Sequence, residues 1–87
     1  MPEINAIVQH QVGLHARPAS QFVKTAMQYK SDISVTCDSR SANAKSILSV
    51  LTLGAHQGAE IGIKADGEDA GEALAALKAL VDNNFGE

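Results

Sequence analysis

The run Gly13-Leu14-His15-Ala16-Arg17-Pro18-Ala19 brings an imidazole, a guanidinium and a proline within a few residues of one another. Proline is favoured in the first turn of a helix, because the early N–H groups there have no intrahelical partner. The remaining free N–H groups and the positive end of the helix dipole form an anion site. A neutral imidazole is a nucleophile, and both the helix end and Arg17 disfavour its cation. The chemistry these residues could do is acceptance of a phosphoryl group on His15. The backbone of Ala16 and Arg17 would hold the added charge, and the Arg17 guanidinium would pair with the phosphoryl oxygens. The alternative is a histidine that caps a helix beside a solvated arginine. A cation is unfavourable near the positive helix end, so Arg17 at that position suggests a task.

The elements that must position these residues follow from periodicity. Ile4, Ala6 and Val8 alternate with Glu3, Asn5 and, less cleanly, Ile7, which predicts a half-buried strand. Ala19, Phe22, Val23, Ala26 and Met27 recur at helical spacing, predicting a helix from about Ala16 to Tyr29. Ile33, Val35 and Cys37 alternate with polar residues in a second strand; Asp38-Ser39 then turns the chain into a short third strand from Arg40 to Ala44. The turn lacks the glycine that tight hairpins favour. Ser46 is placed as an N-cap for a helix of about two turns, in which Ile47, Val50 and Leu51 share a face and Gly54 ends the element. Ile61, Ile63 and Ala65 mark a fourth strand closed by Asp66-Gly67. Ala70, Ala73, Leu74, Leu77, Leu80 and Val81 trace a last helix, with Glu68, Asp69 and Glu72 at the end where its dipole favours acids. The order is βαββαβα, with one apolar face per element. That predicts an α+β, open-faced two-layer sandwich with three helices on one face of a single sheet, in one domain over residues 1–87.

Composition removes several function classes. Lys and Arg number 7 against 10 Asp and Glu, with no basic run, and aromatics are 3%, so a nucleic-acid platform is unsupported. A single cysteine, Cys37, permits no internal disulfide and fits a reducing compartment; its place on the apolar alternation makes it a core residue. The start of the chain carries no signal-peptide pattern, and the longest apolar stretch, Ala73 to Val81, is too short to cross a membrane. The expected location is the cytoplasm. His10, His15 and His56 have no metal-site spacing, so no metal or other cofactor is expected. Ile47 and Leu48 are adjacent and cannot both face the core, which leaves Leu48 exposed; with Ile47 and Leu51 it can form an apolar docking patch.

The run GLHARPAS resembles the phosphorylation site of the HPr family, the histidine-containing phosphocarriers of bacterial sugar phosphotransferase systems. The later run Lys45-Ser46-Ile47-Leu48-Ser49-Val50-Leu51-Thr52-Leu53-Gly54 resembles that family's second signature. The resemblance covers essentially the whole chain. It implies an antiparallel sheet in the order 1-4-2-3 and phosphorylation of His15 on Nδ1. It also implies transfer from enzyme I to sugar-specific enzyme II components, by a monomeric carrier that is a substrate of other enzymes and has no turnover of its own. It places the Ser46 helix beside His15, so that Ala16, Ser20, Lys24, Lys45, Ile47, Leu48 and Leu51 form the partner surface. In some branches the residue matching Ser46 is phosphorylated by a dedicated kinase, and members without that kinase also carry serine there. A Ser46 kinase or phosphorylase therefore remains an open partner. Two other readings stay open: a paralogue in a nitrogen-linked regulatory chain, and a binding module that uses the Ile47–Leu48–Leu51 patch without phosphotransfer. A pure module has no need of a nucleophile, which argues against the second.

Overall fold

Alternation of small apolar and polar residues produces four strands, and helical spacing produces three helices. The computed structural model describes residues 3–8, 16–53 and 58–83. The elements are β1 (Glu3–Ile7), α1 (Ala16–Ala26), β2 (Asp32–Cys37), β3 (Arg40–Asn43), α2 (Ile47–Thr52), β4 (Glu60–Asp66) and α3 (Ala70–Asp82). The strands form one antiparallel sheet in the order β1-β4-β2-β3. Register follows the apolar residues: Ala6 lies opposite Ile61, and Ile4 and Val35 flank Ile63 from either side. The buried apolar side chains of the strands therefore point to one face, as a period of two requires.

The helices cover that face. α3 packs on β1 and β4, α2 on β3, and α1 against both other helices. Phe22, Val35, Val50, Ile61, Ile63, Leu77 and Val81 are fully buried between the layers. Burial of a side chain the size of Phe22 contributes about 1.5–3 kcal/mol. Cys37 is part of this core, and burial, followed by the neighbouring Asp38 charge, pushes its thiol pKa up against an opposing effect of Arg40. The other sheet face carries polar residues, including Asn5, Ser34, Thr36, Ser41, Asn43 and Lys64.

Three local features differ from expectation. α1 stops at Ala26, and the chain turns through 27–30, so Met27 leaves the apolar stripe and stands 64% exposed. β3 ends at Asn43. The β2–β3 turn needs no glycine because Asp38 takes the positive φ, 58°, and a short polar side chain tolerates that conformation. Gly54 lies outside the described residues; the α2 C-cap is Leu53.

A fourth difference is the role of Asp69. It stands at the N-cap of α3 but makes no side-chain cap bond. Its carboxylate instead accepts from the backbone N–H of Lys30 at 2.8 Å, from the N–H of Ser31 at 2.9 Å and from Ser31 Oγ. Ser31 is only 2% exposed. The contact fastens the turn after α1 to the start of α3. Gly67 makes the approach possible: its φ is 154°, and a Cβ there would lie 2.5 Å from Ser31 Oγ and 2.8 Å from Ser31 Cα.

Candidate functional site

α1 begins at Ala16, so the nucleophile read from the sequence, His15, immediately precedes the helix in the chain. His15 lies outside the described residues, as do His10 and His56. The helix that follows is suited to an anion. No acidic residue occupies its first turn, so nothing of opposite charge on the helix offsets the positive end of the dipole. Arg17 is exposed in that first turn. Pro18, next to it, is buried and lacks the N–H that a first-turn residue leaves unused.

Arg17, Ser20, Lys24 and Met27 are all exposed and follow one another three or four residues apart, so they share one side of the α1 segment and its exit. Ala19, Phe22, Val23 and Ala26 anchor the opposite side in the core. Its spacing alone predicts Met27 in the core stripe, whereas the structure exposes it. The signal that it belongs outside is its place seven residues after Ser20.

α2 is positioned by local capping and by two longer bonds. Ser46 Oγ accepts from the Ser49 N–H at 3.3 Å, the expected N-cap bond. Arg40 Nη1 donates to the Leu53 carbonyl at 3.4 Å. Lys45 Nζ donates to the Tyr29 carbonyl at 2.7 Å, which joins the start of α2 to the turn after α1. Lys45 is therefore partly buried, with its ammonium engaged by a carbonyl. Val50 is fully buried and Leu51 half-buried. Ile47 is 44% exposed and Leu48 77% exposed. The expected shared face of Ile47, Val50 and Leu51 is thus split: Val50 enters the core, and Ile47 joins Leu48 outside. α1 and α2 pack against each other, so the cationic and hydroxyl residues of α1 and the apolar residues of α2 belong to one layer of the molecule.

Among the described residues, no three His, Cys, Asp or Glu side chains converge as a metal-ligand group, and no helix is long and apolar enough to cross a membrane.

An open-faced sandwich with an arginine and a proline opening its first helix, and a short serine-capped helix packed beside it, is an architecture shared with a class of small phosphocarrier proteins. Comparison with known proteins places the chain within that class: the family model described as the PTS HPr component phosphorylation site matches residues 2–83, and the chain belongs to this HPr family of the phosphotransferase system. It is 40% identical to the phosphocarrier protein HPr of Xylella fastidiosa strain 9a5c, over 100% of this chain and 98% of that one. It is 49% identical to the HPr of Vibrio cholerae over 80% of this chain and 82% of that one. The crystal structure of HPr-C-His from Thermoanaerobacter tengcongensis superimposes with a TM-score of 0.96 at 42% identity, covering 100% of this chain and 98% of that one. The strand order implied by the resemblance is the order observed.

Proposed function

We propose that this protein is a monomeric cytoplasmic phosphocarrier that accepts a phosphoryl group on Nδ1 of His15 from phosphorylated enzyme I and passes it to enzyme II components during sugar uptake. The observation that carries the reading is the start of α1. A helix without first-turn acids begins directly after His15, with Arg17 exposed at the same end. The imidazole attacks phosphorus, the bond from phosphorus to the donor's own histidine breaks, and the phosphoryl group moves with its charge to this chain. The N–H groups of Ala16 and Arg17 and the Arg17 guanidinium stabilise that charge. They hold the group without committing it, because the next step runs the same exchange toward enzyme II. The test is intact-mass measurement after incubation with enzyme I and phosphoenolpyruvate. A gain of one phosphoryl group per chain, lost again on adding an enzyme II component, supports the carrier; no gain overturns it.

Arg17 tests the mechanism separately. Arg17→Glu places a like charge beside the incoming phosphate, and transfer should slow far more than binding of the unphosphorylated protein weakens. Arg17→Lys should be intermediate, since the charge remains and the fork is lost. Equal transfer rates in stopped reactions for all three proteins would reduce Arg17 to a solvated residue.

Partners dock, in this reading, on the surface formed by Ala16, Ser20, Lys24, Lys45, Ile47, Leu48 and Leu51, to which exposed Met27 adds apolar area. Leu48→Asp should lower affinity for enzyme I, read by calorimetric titration, with little change in melting temperature, because the side chain is already mostly in solvent. A large fall in melting temperature would contradict that. Ser46 serves as the α2 N-cap. A phosphoryl group there would put charge at a helix end that favours anions and beside the docking patch, so a Ser46 kinase would regulate docking without harming the fold.

A further inference from the structure

The turn after α1 contains a peptide group held at both ends by opposite charges. The carbonyl of Tyr29 accepts from Lys45 Nζ at 2.7 Å, and the N–H of Lys30 donates to Asp69 Oδ2 at 2.8 Å. Those two groups belong to one planar unit, the Tyr29–Lys30 peptide. A cation at its oxygen and an anion at its N–H each polarise the unit in the sense that strengthens the other bond. The unit is also fixed from its own side of the chain. The Tyr29 N–H donates to the Ala26 carbonyl at 3.2 Å, and Tyr29 is half-buried against the core. Lys45 and Asp69 lie in the residues that lead into α2 and α3, so one peptide joins the exit of α1 to the starts of both other helices.

α2 depends on such ties. It has six residues, too few for a helix to persist on its own hydrogen bonds, and of those six only Val50 is fully buried. Two bonds at its start run to β3: the Lys45 N–H donates to Asn43 Oδ1 at 2.9 Å and the Ser46 N–H to the Asn43 carbonyl at 3.0 Å. The bond from the Lys45 ammonium crosses from that same start to the exit of α1. We infer that Lys45 is a positioning residue for phosphoryl transfer. Through the Tyr29–Lys30 peptide it sets where α2 presents Ile47 and Leu48 relative to α1, and Asp69 acts on the same placement from the other end of that peptide. The functional part rests on the phosphocarrier reading, since what is placed is the partner surface. The competing role for Lys45 is a free charge that meets an acidic partner. Lys45 is half-buried, and its ammonium is committed to a carbonyl of its own chain. Asp69 separates the two roles, because a lysine that only faces a partner has no reason to be coupled to a carboxylate at the start of α3.

The test joins amide hydrogen exchange on the free protein to steady-state transfer from enzyme I. Lys45→Met keeps the length of the side chain without its charge or donors. Exchange at Val50 and Leu53, whose N–H groups bond to the Ser46 and Val50 carbonyls, should quicken relative to Leu77 in α3 by about tenfold, the factor for loss of one charge-assisted hydrogen bond. The KM for the carrier should rise by roughly three- to tenfold with kcat close to the parental value, the pattern of lost binding. Lys45→Arg, which keeps charge and donors, should return both readouts toward the parent. Asp69→Asn should give a smaller rise of the same kind, and the effects of Lys45→Met and Asp69→Asn together should fall short of their product. Lys78→Met, which removes an exposed lysine paired with Asp82, should leave both readouts unchanged. Unaltered exchange in α2, an unaltered KM, or effects of Lys45→Met and Asp69→Asn that simply multiply would overturn the inference. A parent protein that takes no phosphoryl group from enzyme I would fail the phosphocarrier reading instead, and exchange at Val50 and Leu53 would still decide whether Lys45 places α2.

Discussion

Replacing His15 with alanine is expected to eliminate phosphoryl acceptance from enzyme I altogether, while the variant melts close to the parent. The chemical part of this expectation is categorical. No other group in the GLHARPAS run is a nucleophile of comparable strength at neutral pH, and the anion-stabilising groups that follow in α1 have nothing to stabilise once the acceptor is gone. The structural part rests on where the core is. The buried residues described in the two layers come from the strands, the helices and their flanks, and Phe22, Ile61, Ile63 and Leu77, which fill the space between the layers, are all far from His15 in sequence or on the core side of α1. Intact mass after treatment with enzyme I and phosphoenolpyruvate reads the first part, and a thermal melt reads the second. Label that persists in His15→Ala, or that maps to His10 or His56, would remove His15 from its role.

How much of this was legible in the sequence depends on the range of the interaction concerned. The strands were readable because Ile33, Val35 and Cys37, and again Ile61, Ile63 and Ala65, alternate strictly with residues that face away from the helices. The Ser46 cap was readable because its bond to the Ser49 N–H spans three residues. Strand order was different. Pairing of β1 with β4 joins segments more than 50 residues apart in the chain, and apolar alternation is the same whichever strand lies alongside; only the family resemblance supplied the order. Met27 was misplaced because the apolar period runs on past Ala26 while the backbone does not. The exposure of Leu48 followed from simple geometry, since adjacent helix residues cannot both enter the core; that rule does not send Ile47 inward, and Ile47 stays outside as well. Asp69 illustrates the limit most clearly. Its position before a helix is fully explained by local electrostatics, so nothing in the sequence directs attention to its partners 38 and 39 residues earlier.

Those partners make Asp69 the residue whose removal should cost the fold most among its exposed or half-buried polar groups. Asp69→Ala leaves the Lys30 and Ser31 N–H groups and the Ser31 hydroxyl without their acceptor, and Ser31 is buried, so water cannot readily replace it. The expected result at pH 7 is a melting temperature lowered by several degrees. Ser31→Ala, which removes only the hydroxyl, should cost less. The double variant should fall short of the sum of the two, because both changes break the same contact. The contact also carries a pH signature. The Ser31 hydroxyl and then the Lys30 N–H hold the Asp69 carboxyl below the usual carboxylate range; desolvation opposes them, and the N–H groups of Ser31 and of Asp69 itself add smaller lowering effects. A carboxyl whose folded pKa lies below its unfolded value adds stability that is complete above the unfolded value and is lost as pH falls through the folded one. The gap in melting temperature between the parent and Asp69→Ala should therefore be widest at neutral pH and close as the solution is acidified through and below the ordinary carboxylate range. Asp69→Asn keeps one acceptor oxygen without the charge. It should lie between the two at pH 7 and show less of the acid-dependent loss. A gap that stays constant from neutral to strongly acidic solution would mean that the Asp69 charge contributes nothing to the contact; equal melting temperatures at pH 7 would mean that the contact itself does not hold the turn after α1 to α3.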